Sequence, residues 1–159
     1  ERKEGREETK REGIKSEMVG GFMRIRRPPS STHIPYTKLF RAVPVSDQDS
    51  SRDFCRDVLG FQVLGDRQMT PEMRWLQLAP PRGDTSITLV TWFPTMKPGD
   101  LKGIVLETDD LDADVARLTE AGVSFTSGVE EQPWGRFATF DDPDGNGIVL
   151  QHTTNRVLI

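Results

Sequence analysis

The sequence predicts an α+β fold built from two tandem βαβββ modules. Three observations carry that prediction. Runs of alternating apolar residues, each closed by Gly, Pro or Asp, recur from Thr37 onward; two segments with helical apolar spacing interrupt them; and the order strand, helix, three strands occurs twice, at a spacing of about 60 residues. A repeat of that length is too long for a solenoid unit and marks a duplicated module, whose two copies can set their sheets side by side around a shared cavity.

The first module spans residues 37–92. "KLFRAVPV" alternates as a strand and ends at Ser46-Asp47, an N-cap signal for the helix "DQDSSRDFCRDVLG". Phe54, Val58 and Leu59 supply the buried stripe of that helix, and Gly60 stops it. The strands "FQVLGDR", "RWLQLAP" and "TSITLVTW" come next, separated by turn chemistry at Thr70-Pro71 and Pro80-Pro81-Arg82-Gly83. The second module spans 101–154. "KGIVLETD" leads through Asp109-Asp110 into the helix "LDADVARLTEAG", with Leu111, Val115 and Leu118 on one face and Gly122 as the stop. "VSFTS", "GRFATFD" and "GIVLQHT" are its remaining strands. The repeat extends to detail: Asp47 to Gly60 matches Asp110 to Gly122 within one residue, and "MRW" at Met73 is echoed by "GRF" at Gly135.

Residues 1–36 differ from this body. Up to Glu17 the only apolar side chain is Ile14, too little buried surface to offset the entropy of ordering, so the segment reads as a charged, disordered tail ahead of a single domain over 37–159. It has neither the apolar stretch of a secretory signal nor the acid-poor composition of a transit peptide. It carries nine Lys/Arg against six Asp/Glu, which leaves the body with a net charge of −7. An acidic body lacks the clustered positive face that nucleic acid requires, and no apolar run is long enough for a membrane helix. The one cysteine, Cys55, can form no internal disulfide and reads as a buried filler on a helix, which suits a reducing cytoplasm.

The stretches "VPVSDQDSSRDFCRDVLGF", "VLETDDLDADVARLTEAGV" and above all "PWGRFATFDDPDGNGIVLQ" resemble the glyoxalase/bleomycin-resistance/extradiol-dioxygenase group, the vicinal oxygen chelate superfamily. A strand running into Asp-Pro-Asp-Gly-Asn-Gly before another strand is the most specific of these signals. Its composition is also what a sharp reversal needs: Pro143 fixes φ, the Asp side chains bond their own backbone, and the glycines tolerate positive φ. A calcium loop is excluded, because the segment lacks spaced oxygen ligands and a closing Glu. The resemblance implies a cup-shaped, partly open β-barrel with helices outside, commonly assembled as a homodimer.

The resemblance also locates where metal-using members carry ligands: the first and last strand of each module. Here those positions read Phe40, Thr88, Gly103 and Val149. None is a usual metal ligand, so no metal and no cofactor are expected. His33 lies in the tail, and strand alternation turns His152 away from the face of Val149 and Gln151. Glu107 shares parity with Gly103 and Val105 and is the one weak candidate for a general base.

Inward parity then gives an apolar lining: Phe40 and Ala42, Thr88, Val90 and Trp92, Gly103 and Val105, Val149 and Gln151. Trp75 and Phe137 add ring faces from the intervening strands. The loops "TWFPTMKPGDL" and "EEQPWGR" place Trp92, Phe93, Met96 and Trp134 as rim or lid. Two arrangements are compatible with this periodicity: the rings line an open pocket, or they fill the space a metal once occupied. The expected function is metal-free binding of a small organic molecule, similar to the drug-sequestering members. The alternative is a lyase, isomerase or dioxygenase using unusual ligands, or a metal-independent enzyme using Glu107.

Overall fold

The structure, a computed structural model, describes residues 17–19, 22–24 and 40–154. Contacts divide the chain into a unit Glu1–Thr37 and a unit Lys38–Ile159. In the first, β1 (Glu17–Val19) pairs antiparallel with β2 (Phe22–Arg24). The rest of the predicted tail over 1–36, His33 included, lies outside the described residues.

The second unit contains the two βαβββ modules. The first runs through β3 (Phe40–Pro44), α1 (Gln48–Asp53), a π-helical turn at Phe54–Val58, β4 (Gln62–Thr70), β5 (Met73–Ala79) and β6 (Ser86–Val90). The second runs through β7 (Ile104–Glu107), α2 (Leu111–Glu120), β8 (Glu130–Gln132), β9 (Gly135–Asp141) and β10 (Gly147–Thr153). Each forms a four-stranded sheet, in the orders β3-β6-β5-β4 and β7-β10-β9-β8. In both, the first strand lies parallel to the last, and the remaining pairs are antiparallel. Within one chain the sheets stay separate and do not close a barrel.

Both helices start where the sequence places them. The Asp47 carboxylate accepts from the amides of Asp49 and Ser50 at 2.8 and 2.9 Å, and Asp110 accepts from Ala113 at 3.0 Å. These bonds satisfy amides that a helix start leaves without partners. The first helix departs from a uniform α-helix. After Asp53 it widens, with the Leu59 amide reaching back to the Phe54 carbonyl at 3.2 Å. One expected strand also moves. "VSFTS" keeps a single bridge, Phe125 to Phe140, and the outer strand is instead "EEQ" at Glu130–Gln132. There Pro133-Trp134 makes a two-residue hairpin, so local closure onto β9 wins over the more apolar segment.

The widened helix sits between the two sheets. Val43, Leu76, Leu78 and Leu89 of the first sheet join Cys55 and Phe61 in one core cluster, against which Ile104 and Leu106 of the second module pack. Phe140, Ile148 and Leu150 join Leu111 and Leu118 in another, against which Phe54, Val58 and Leu59 of the first module pack. A cavity lined by Phe54, Cys55, Leu59, Ile104, Leu106 and Ile148, among others, lies between them.

A polar junction fixes this arrangement. The Asn146 side chain, 0% exposed, donates to the Pro44 carbonyl at 2.9 Å and to Asp142 Oδ2 at 2.8 Å. Its oxygen accepts from the amides of Gly99 and Leu101 at 3.1 and 3.3 Å. Every donor and acceptor of the carboxamide is thus used. Asp144 of the same turn accepts from the Ser46 amide at 3.1 Å and from the hydroxyls of Ser46 and Ser51. Gly99 adopts φ +84°, and a Cβ there would stand 2.7 Å from the Asp144 carbonyl oxygen, so only glycine lets the linker approach so closely.

This core makes two measurable demands. Asn146→Ala strands one carbonyl and two amides at a fully buried site, and urea unfolding is expected to show a loss of about 2–4 kcal/mol, with both modules melting in one transition. Burial, with a smaller push from Asp142, raises the Cys55 thiol to about 12. Native protein is therefore expected to resist a thiol reagent at pH 8 and to react only as denaturant opens the core; rapid native labelling would contradict this placement.

Candidate functional site

Because both sheets turn their core faces toward the first helix, their opposite faces point away from each other. Alternation assigns those open faces. In the first sheet Val43, Leu76 and Leu89 face the core, so Phe40, Ala42, Trp75, Gln77, Thr88 and Val90 lie on the open side. In the second, Ile104, Leu106, Phe140, Ile148 and Leu150 face the core, so Val105, Glu107, Phe137, Val149 and Gln151 lie on the open side. The residues expected to line one cup thus fall into two groups that a single chain does not bring together.

On the first sheet, Phe40 and Trp75 meet edge to face, their centroids 5.4 Å apart. Trp75 Nε1 donates to Gln77 Oε1 at 3.3 Å, and Gln77 Nε2 donates to Ser86 Oγ at 2.7 Å, a chain that orients the indole. Thr88 and Val90 are only 1% and 2% exposed, so they form a closed floor rather than an accessible lining. The Thr88 hydroxyl has no hydrogen-bond partner among the described residues. Beside Trp75, an open hollow of about 480 Å³ is lined by Gly65, Asp66, Arg67, Met69 and Trp75.

Arg67 belongs to this hollow through an irregularity that alternation does not reveal. β4 pairs Val63 with Leu78 but Gly65 with Gln77, so Leu64 is an extra residue. Such a bulge reverses the facing of the residues that follow, here from Gly65 to Gln68, after which a second shift intervenes before Thr70. Asp66 turns to the core-facing side, where Arg74 grips both its oxygens at 2.7 Å, and Arg67 stands opposite Trp75 on the open face. The hydrogen bond from Arg74 holds the Asp66 carboxyl below its usual range.

On the second sheet, Trp134 and Phe137 stack with centroids 5.6 Å apart and planes 9° from parallel. The hairpin that carries Trp134 runs tightly alongside β10: Gly135 pairs with Thr153, and a Cβ on Gly135 would meet the His152 carbonyl oxygen at 2.4 Å. Val105 is 54% exposed, while Val149 and Gln151 are half-buried. Gly103 precedes β7 with φ +80° and is exposed. Trp92 pairs with Phe93 at 5.9 Å in the intermodule loop.

The chemistry of the four ligand positions does not fit a metal ion. Phe40, Gly103 and Val149 offer no side-chain donor, the Thr88 hydroxyl is enclosed, and the pairs lie on different sheets. A divalent ion needs converging nitrogen, carboxylate or thiolate donors at about 2.0–2.2 Å. Among the described residues no group of three His, Cys, Asp or Glu side chains is placed to hold one. His152 sits on the side away from Val149, its Nδ1 2.9 Å from the Thr108 carbonyl. Glu107 accepts from the Thr153 amide at 2.8 Å, the Thr153 hydroxyl at 3.1 Å and Gln151 Nε2 at 3.4 Å. These contacts join β7 to β10 and take three of the roughly four acceptor sites of the carboxylate.

Solved structures similar to this chain include TnmS3, an antibiotic binding protein from Streptomyces sp. CB03234, at 50% identity and TM-score 0.69, covering 74% of this chain and 95% of that one. A glyoxalase/bleomycin resistance protein from the same strain matches at 52% identity and TM-score 0.66, covering 71% of this chain and 97% of that one. An uncharacterized Bacillus subtilis protein, YetH, is 33% identical over 113 residues, 69% of this chain and 92% of its own length.

Elemental analysis of purified protein is expected to find no stoichiometric Zn, Ni, Mn or Fe, and EDTA to leave the melting temperature unchanged; a one-to-one metal would overturn this account of the four positions. Within the described residues no helix is long and apolar enough to cross a membrane. The paired βαβββ modules and the Asp-Pro-Asp-Gly-Asn-Gly turn are matched by a sequence model spanning residues 34–150, and the chain belongs to the Glyoxalase/Bleomycin resistance protein/Dioxygenase superfamily.

Proposed function

We propose that this protein binds a small, largely apolar organic molecule and holds it without chemical change, with no metal or cofactor. The carrying observation is the pair of aromatic platforms, exposed Phe40 with half-buried Trp75 and exposed Trp134 with half-buried Phe137, on the two open faces at and beside positions that lack metal donors. Similarity at 50% identity to an antibiotic binding protein supports the same reading.

The protein works as a homodimer in this proposal. β3 pairs only with β6, and β7 only with β10, among the described residues, so each sheet keeps a free inner edge. A two-fold partner would set the first sheet of one copy beside the second sheet of the other and complete two equivalent cups. Val105, Val149 and Gln151 would then face Phe40 and Trp75 across a cavity that neither copy encloses alone. Ring faces and exposed Val105 supply the affinity, at about 25 cal/mol per Å² of apolar surface before association costs. A lone, buried thiol and an acidic body suit the cytoplasm.

A ligand screen by tryptophan fluorescence and thermal shift is expected to yield a saturable ligand. Phe40→Ala and Trp134→Ala should each weaken it at least about fivefold while preserving the fold by circular dichroism. If both variants dissociate the dimer yet retain ligand affinity, the rings are interface and the proposal fails.

A further inference from the structure

Resting on that reading, we infer that the hollow on the first sheet selects aromatic ligands bearing an anionic group, with Arg67 as the specificity-determining residue and Trp75 as its ring platform.

The bulge at Leu64 is what puts Arg67 there. Had β4 kept its alternation from Val63, Arg67 would share the core-facing side with Val63; the extra residue instead sets it opposite Trp75 on the open face. The two neighbouring charges on β4 are treated differently. Asp66 also borders the hollow, but both its oxygens are held by Arg74, which in turn bonds Asp49 at 3.0 Å. Arg67 has no hydrogen bond or ion pair among the described residues. A guanidinium with five donors thus borders a hollow whose one carboxylate among the described residues, Asp66, is already ion-paired.

The other wall is aromatic. The Trp75 N–H is committed to Gln77, so the indole offers the hollow ring surface and no donor. Met69, 54% exposed, adds a flexible apolar lip. A ring packed on Trp75 with an anionic oxygen toward Arg67 would use both walls, and guanidinium suits planar oxygen pairs such as carboxylates.

The test compares 2-naphthoate with 2-naphthamide, matched in ring and shape and differing in charge, by calorimetry at low ionic strength. Wild type is expected to bind the acid about three- to tenfold more tightly, a preference that shrinks in 0.5 M salt because Arg67 is exposed. Arg67→Gln should weaken the acid more than the amide and so erase the preference, Arg67→Lys should restore part of it, and Trp75→Ala should weaken both compounds. Equal affinities in wild type, or a preference that survives Arg67→Gln, would sink this inference and leave the binding reading intact. Absence of saturable binding by either compound, with none found in a wider aromatic panel, would overturn both.

Discussion

One buried carboxamide holds this molecule together. Asn146 has no exposed surface, and its two donors and two acceptor sites reach three pieces of chain: the end of β3, the intermodule linker and its own turn. In a low-dielectric interior each of those bonds is hard to replace, since losing the side chain would leave the partner groups unpaired. Asp142 completes the junction by accepting from the amides of Asp144 and Asn146 at 2.9 and 2.8 Å. The turn of the second module is thereby made at the expense of the first module's freedom, and neither module has an independent orientation.

That constraint decides which sheet faces are left open. With the Asp-Pro-Asp-Gly-Asn-Gly turn locked to Pro44, Ser46 and Ser51, the first helix is captured between two sheets, and Phe54 and Leu59 serve both cores. Once both sheets spend their aliphatic faces on this shared interior, their aromatic and mixed faces have to point outward. Phe40, Val105 and Trp134 are each left about half exposed on those faces.

Much of this fold can be read from residue patterns. Asp47 and Asp110 cap the helices, Gly60 and Gly122 end them with φ +77° and +92°, and Met73 and Gly135 open equivalent strands, because these depend on nearest neighbours in the chain. "VSFTS" misled for the opposite reason: its strand-like composition has one bridge to β9, while the acidic "EEQ" pairs because a two-residue turn delivers it. Parity is enough to put Phe40, Trp75, Phe137 and Val149 on open faces. It could not show that Thr88 and Val90, on the same side, are buried, because burial is a property of everything stacked nearby.

From the sequence alone came the duplicated module, the helix caps, the reversal at Asp142–Gly147, and the absence of metal donors at Phe40, Thr88, Gly103 and Val149, since each depends only on residue type at a known position. The tertiary structure decided that the two module faces diverge, and that Arg67 rather than Asp66 looks out beside Trp75. The reason is geometric. Strand facing has a period of two, so one unpaired residue at Leu64 reverses the side chains from Gly65 to Gln68, and whether such a residue is accommodated is settled by the register of β5 across the ladder.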